Sequence, residues 1–259
     1  MKVYTGMSER RASTDIKACA EDGHISRAPS YNAIFTYFDN AAFTPILVRL
    51  IEESAKPLAS IETTFAIDST GFGTCVFRRW FDEKYGKERS EAKWLKAHAM
   101  VGTVTNVVTS ISVTDSNGSD SPELPALVAS TAQRFRMAEV SGDKAYLGYD
   151  NLAAIEAAGA TPFVPFKSNS RAEGSPAWRR MWAHFLMRQE DFLAHYHRRS
   201  NVEATFSAIK RKFGGAVRSK RFTAQVNEVL CKILLHNLAC IVHAMHELGI
   251  EPDFATVPA

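Results

Sequence analysis

Four side chains in the last third of the chain have types and spacing that could do chemistry. Tyr196, Arg199, Glu203 and Lys210 are offset by three, four and seven residues. At about 100° per residue these offsets fall on one stripe of a helix. The stripe is polar and of mixed charge, which does not suit a core-facing surface. It suits a site where an acid binds a metal ion while cations and a hydroxyl hold phosphates. Taken alone, Glu203 also reads as an ion-pair partner of Arg199 or Lys210. Two further acids follow apolar segments. Asp68 ends the buried-strand pattern Thr64-Phe65-Ala66-Ile67, and an acid there faces the end of a sheet, where open α/β sheets place their sites. Asp143 sits among small neighbours in Val140-Ser141-Gly142-Asp143-Lys144-Ala145-Tyr146. Singly, each acid is better read as structural; the spacing around Glu203 is what favours chemistry.

The charge distribution points to what such a site would meet. The chain has 259 residues and a net charge of +3. Between Arg198 and Arg221 stand eight basic residues (Arg198, Arg199, Lys210, Arg211, Lys212, Arg218, Lys220, Arg221) and one acid, Glu203. That stretch carries +7, so the remainder sums to −4. A concentrated basic run in a slightly acidic chain implies a polyanionic partner. A second basic segment, Phe77 to Trp94, interleaves aromatics with Arg78, Arg79, Lys84, Lys87, Arg89 and Lys93. It suits stacking on distorted or unpaired nucleic acid, or else its aromatics pack on a sheet.

Elements that could position these groups follow from pattern. Residues 1–60 read as helical: a run through Ala20 that Gly23 breaks, a second from Tyr31 to Asn40, and a third from Thr44 to Ser54 with Ile46, Leu47, Leu50 and Ile51 on one face. The first two form either a helix-turn-helix or a small hairpin covering a core. Strands are expected at 64–67, 93–101, 106–114, 139–146 and 163–166, the last at a sheet edge because of Pro165. Helices are expected at 123–136, 150–158, 178–212 and 224–248. Strands that first form a meander and then alternate with helices predict an α/β mixed sheet with helices on both faces.

Other chemistries find no support. Cys19, Cys75, Cys231 and Cys240 are scattered without a CxxC pair, which excludes a zinc ribbon. There is no P-loop, HExxH or GxSxG, and Asp115 to Gly118 has its glycine misplaced for an EF-hand. The polar N-terminus and the lack of a long apolar run predict neither signal peptide nor membrane span. His195 and His197, beside the signature, are expected to face phosphates or solvent.

The spacing Tyr196-x2-Arg199-x3-Glu203-x6-Lys210 resembles the signature of a large group of bacterial insertion-sequence transposases, the DDE enzymes with a Tyr-Arg-Glu-Lys motif. Ala66-Ile67-Asp68-Ser69-Thr70-Gly71-Phe72, Asp120-Ser121-Pro122-Glu123-Leu124, Gly142-Asp143-Lys144-Ala145-Tyr146 and the segment from Phe206 to Gly215 are similar to the same group. The likeness runs from about residue 61 to 245. It implies a ribonuclease H-like fold (α/β, a mixed sheet flanked by helices) at 61–248, after a small N-terminal helical region at 1–60 with a possible DNA-binding role, and before a tail at 249–259. It implies a catalytic and metal-binding triad of Asp68, Asp143 and Glu203. Asp68 would bridge two Mg²⁺ ions, for which Mn²⁺ could substitute, and Asp143 and Glu203 would bind one each. Tyr196, Arg199, Lys210 and Lys144 would hold phosphates near the cut, and Arg211, Lys212, Arg218, Lys220 and Arg221 the flanking backbone. The implied partner is double-stranded DNA, both transposon ends and target, bound by a homodimer in the bacterial cytoplasm, with no nucleotide cofactor and no membrane. The implied reaction is metal-dependent strand cleavage followed by strand transfer. Alternatives are an inactive or shortened DNA-binding relative, and a nuclease of the same fold.

Overall fold

The computed structural model describes residues 2–6, 9–74 and 94–254. The basic aromatic segment 77–93 lies outside the described residues; Trp94 is inside them.

Among the described residues five strands form a single sheet in the order β3-β2-β1-β4-β5. They are β1 (Thr64–Gly73), β2 (Trp94–Gly102), β3 (Val108–Asp115), β4 (Glu139–Gly142) and β5 (Thr161–Phe163). β1, β2 and β3 make an antiparallel meander, while β4 and β5 run parallel to β1. The mixed sheet expected from the alternation is therefore present. Helix α1 (Glu9–Glu21) is followed by Gly23 at φ +78, then by α2 (Tyr31–Asp39) and α3 (Phe43–Ala55). Ser30 caps α2 through a hydrogen bond from Ala33 N–H. After the meander come α4 (Leu124–Ala132), α5 (Tyr149–Ala157), α6 (Pro176–Met187), α7 (Gln189–Tyr196), α8 (Ser200–Phe213) and α9 (Phe222–Glu247).

Strand alternation divides the core between the two faces. On one face Ala66, Phe72, Ala97 and Ala99 meet Leu47 and Ile51 of α3, Val202, Phe206 and Ile209 of α8, and Val229 and Ile233 of α9. On the other, Phe65, Ile67, Met100 and Val140 meet Leu124, Leu127 and Val128 of α4 and Ile155 of α5. A third cluster packs Phe163, Val164 and Phe166 against Trp178 and Met181 of α6 and Phe192 of α7.

Helix α9 is long and apolar enough to cross a membrane by length and composition. In the molecule it is a core helix that buries polar groups with partners. The Asn237 amide accepts from Val108 N–H at 2.9 Å and donates to Val108 C=O at 2.7 Å, locking α9 to β3. Lys232, 2 % exposed, donates to the carbonyls of Gly214 and Ala216.

Several elements differ from the periodicity reading. The strand expected over 64–67 runs on to Gly73, held by its ladder with β2, so Asp68 lies within β1 and not at its end. The strand expected over 139–146 stops at Gly142, and Lys144–Tyr146 forms a 3-10 turn. The turn is imposed by Tyr146, whose ring folds back into the core and is 1 % exposed. The edge strand is 161–163 rather than 163–166, because Phe166 turns inward among Trp178, Trp182 and Phe185. The single helix expected over 178–212 is broken at Arg188 (φ −135, ψ 55) and again by a 3-10 turn at His197–Arg199. The first break lets α7 fold back so that Phe192 is fully buried and Asp191 meets His184 at 2.7 Å. Neither Gly nor Pro marks that break; tertiary packing decides it.

Candidate active site

The register of the central strands brings two acids side by side. In the parallel ladder Ile67 pairs with Gly142, so the next residue along each chain is an acid, Asp68 on β1 and Asp143 just past β4. The close approach depends on Gly142: a Cβ there would lie 2.9 Å from Ile67 Cγ2. Asp68 shares the face of Ala66 and Phe72, and so points toward α8.

Glu203 comes from the first turn of α8, across from Asp68. Arg199, at the end of the preceding 3-10 turn, bridges the two: Nη1 contacts Asp68 Oδ2, and Nη2 donates to Glu203 Oε1 at 2.6 Å. The chain changes helix type at Arg199, so the four signature residues do not lie on one continuous α-helix. Glu203 and Lys210 nonetheless line one cleft and Arg199 reaches Asp68 there, while Tyr196 packs against the third core cluster. Tyr196 lies partly buried with its ring 6.0 Å from the Arg199 guanidinium carbon. Lys210 donates to Thr70 Oγ1 at 2.6 Å, one residue pair along β1 from Asp68.

A cleft of about 460 Å³ is lined by Asp68, Ser69, Thr70, Glu203, Phe206, Ser207, Lys210 and Arg211. Its electrostatics are those of crowded acids. Burial pushes the Asp68 carboxyl above the ordinary carboxylate value; the Ser69 N–H and Arg199 pull it back, and Asp143 and Glu203 push it up further. Burial opposes charge on Arg199 too, yet Asp68 and Glu203 outweigh it and strengthen its hold on its proton. Burial alone pushes the Lys210 amine down.

The remaining cations expected to bind are distributed unevenly. Arg211 lines the cleft, and Lys144 is exposed on the turn after Asp143. Lys212 is exposed on α8 with its amine over the Phe213 ring. Beyond the turn at Gly214, which has φ +84, the chain runs toward the N-terminal helices. There Arg218 donates to the Gly6 carbonyl, Lys220 is exposed, and Arg221 pairs with Asp39 of α2 at 3.4 Å. None of these three is among the cleft-lining residues. His197 is exposed, but His195 does not face phosphate. It stacks on Phe163 at 4.4 Å, and its Nδ1 meets Glu139 at 2.8 Å, because α7 folds over β5.

Sequence reasoning does not single out Thr70, Phe206 or Ser207 as cleft residues. Thr70 is recoverable from strand alternation with Asp68, and Ser207 from its four-residue offset to Glu203. The donor set suits a hard divalent cation, being three carboxylates with hydroxyls nearby. Among the described residues no three acid, histidine or cysteine side chains are already gathered around one ion. Arg199 lies between two of the acids and pairs with both.

Comparison with curated proteins finds no match. The family model described as Transposase DDE domain matches residues 59–238. That span takes in the whole sheet, the cleft and most of α9. The mixed sheet flanked by helices agrees with the ribonuclease H-like expectation, and by this match the chain belongs to the transposase DDE domain family.

Proposed function

We propose that the protein cuts DNA at the ends of a mobile element and joins the freed 3′ ends to a target, using Asp68, Asp143 and Glu203 as ligands for two Mg²⁺ ions, with Mn²⁺ an effective substitute. The observation carrying this reading is the parallel register that sets Asp68 beside Asp143, with Glu203 linked to Asp68 through Arg199. When bound, the metal ions would supply Lewis acidity and lower the pKa of an attacking hydroxyl.

The chain's own residues have separate tasks. Asp68, Asp143 and Glu203 present hard oxygen donors and would concentrate divalent charge at the cleft. Arg199 would exchange its carboxylate partners for a DNA phosphate when the site loads. Tyr196 supports that guanidinium from beneath. Lys210, fixed by Thr70, would hold a second phosphate, and Lys144 and Arg211 would flank the scissile position. A water would first hydrolyse one phosphodiester and leave a 3′-hydroxyl. That hydroxyl would then attack a target phosphodiester and displace a new 3′-oxygen, so no covalent protein–DNA bond is required. Lys212, Arg218, Lys220 and Arg221 would follow the flanking backbone, giving binding that is sensitive to salt and weak in sequence reading.

In this proposal residues 61–248 form the catalytic unit, 1–60 assist in binding DNA, and two copies act together on paired ends in the bacterial cytoplasm. The test is an assay with a pre-cut 3′-hydroxyl end, a supercoiled target and Mg²⁺. Joined products support a transposase; cutting without joining supports a nuclease; neither, with DNA binding retained, supports an inactive relative.

A further inference from the structure

A polar cluster lies behind the second half of β1, next to Asp68, on the sheet face turned away from α8. β2 places Lys96 and His98 there, paired across the ladder with Gly71 and Ser69. Asp120, from the loop after β3, reaches both. Its carboxylate is 2.8 Å from Lys96 Nζ and 3.1 Å from Nδ1 of His98, which has no exposure to solvent. The other His98 nitrogen meets Thr114 Oγ1 at 3.0 Å. Ser69, paired with His98 across the ladder, turns its side chain toward Asp120 and the buried Tyr146 phenol.

Charged groups in such a place are costly, and an apolar filling would serve stability as well. The cluster's position suggests what it does. On one side Ser69 N–H donates to Asp68 Oδ1 at 2.8 Å. On the other, Tyr146 N–H donates to the Asp143 carbonyl at 2.9 Å, closing the turn that carries Asp143. Asn151 reinforces this side, donating to the Tyr146 carbonyl at 2.8 Å and to the hydroxyl of Ser121, next to Asp120, at 2.9 Å. Asp120 thus adjoins Ser69, whose N–H holds Asp68, and its chain neighbour Ser121 is tied through Asn151 to the turn that carries Asp143. Lys96 and His98 hold the carboxylate in a single orientation.

We propose that Asp120 is a positioning residue: clamped by Lys96 and His98, it fixes Ser69 on one side and the Ser121–Asn151 link on the other, and so the spacing of Asp68 and Asp143 for a divalent cation. The proposal rests on the metal-dependent reading above. Groups one step behind metal ligands commonly change metal affinity by about 10- to 100-fold when replaced.

The experiment is calorimetric titration of Mn²⁺ into the full chain, with and without a mixed-sequence duplex, beside thermal unfolding. Asp120→Asn keeps the side-chain shape and removes the charge. It is expected to weaken Mn²⁺ binding about tenfold or more, with duplex binding in the absence of metal unchanged. Asp120→Glu is expected to restore part of the affinity, and Lys96→Gln, which frees the Asp120 carboxylate, to shift it the same way by less. Mn²⁺ affinity equal to wild type in Asp120→Asn overturns the proposal, even if its melting temperature falls, since that pattern belongs to a purely structural cluster. Should that variant not fold, the same comparison is made with Lys96→Gln, where unchanged affinity again overturns it. A wild-type chain that binds no Mn²⁺ in either condition overturns the metal reading itself, and this proposal with it.

Discussion

Arg199 holds Asp68, 131 residues earlier in the chain, and the contact is made by one arm of a guanidinium whose other arm holds Glu203. One cation therefore neutralises two acids that would otherwise repel. A metal ion and Arg199 compete for the same oxygens, and a DNA phosphate that draws Arg199 away favours the metal. Linkage makes this reciprocal: metal binding releases Arg199 toward phosphate. Arg199→Gln should bind Mn²⁺ more tightly than wild type without DNA, while cutting DNA more slowly. Lys144→Gln, which removes an equal charge without touching either acid, should change Mn²⁺ affinity much less. Equal effects in the two variants would reduce the bridge to general electrostatics.

Asp143→Asn should abolish cleavage, by about two orders of magnitude or more, the scale of removing a preorganised electrostatic group. Its DNA binding should match wild type, because α8 and its cations are untouched. Undiminished Mg²⁺-dependent cutting by this variant would remove Asp143 from the site.

The raised pKa of Asp68 sets a direction for stability against pH. A carboxyl whose folded pKa lies above its unfolded value contributes stability below the unfolded pKa, near 3.8, and that contribution is lost as pH rises through the folded pKa. Asp68→Asn removes this liability. The metal-free variant should melt higher than wild type at pH 8, and the difference should shrink as pH falls toward 4. A gap that does not depend on pH would mean that Asp68 costs nothing when ionised.

Replacing Lys220 and Arg221 together with Ala should lower the slope of log affinity against log salt by about two, one for each phosphate that is no longer neutralised. The Arg221–Asp39 pair does not prevent this, since Arg221 is 78 % exposed and such a pair is weak. An unchanged slope would show that the basic run beyond Gly214 faces away from DNA.

Asn237→Ala should destabilise the fold by about 2–3 kcal/mol in urea unfolding, because the buried N–H and C=O of Val108 are left without a partner. A change below about 0.5 kcal/mol would mean that water replaces the amide.

Much of the site is legible in the sequence because it depends on local spacing. Arg199 and Glu203 lie four residues apart, and their pairing follows from helical geometry whichever helix type precedes Ser200. The sheet is legible in outline, from the apolar run at 64–67 and the β-branched alternation at 106–114, although β1 continues to Gly73. What escapes is settled by packing between distant segments. Arg188 carries no breaker signal, yet the helix ends there so that Phe192 can be buried. His195, beside the signature, reads as available to phosphate, whereas Phe163 and Glu139, far away in sequence, claim it. The strand through Asp143 ends early because Tyr146 finds a place in the core that a straight strand would deny it.

The end of β1 is stitched to the chain leaving α8: Gly73 N–H donates to the Gly215 carbonyl at 3.0 Å, and Gly73 C=O accepts from Val217 N–H at 2.8 Å. The floor bearing Asp68 and the wall bearing Glu203 are thereby clamped at a common end. With that end stitched, any change in the gap between the two acids has to pivot about it, as a pair of tongs turns about its joint.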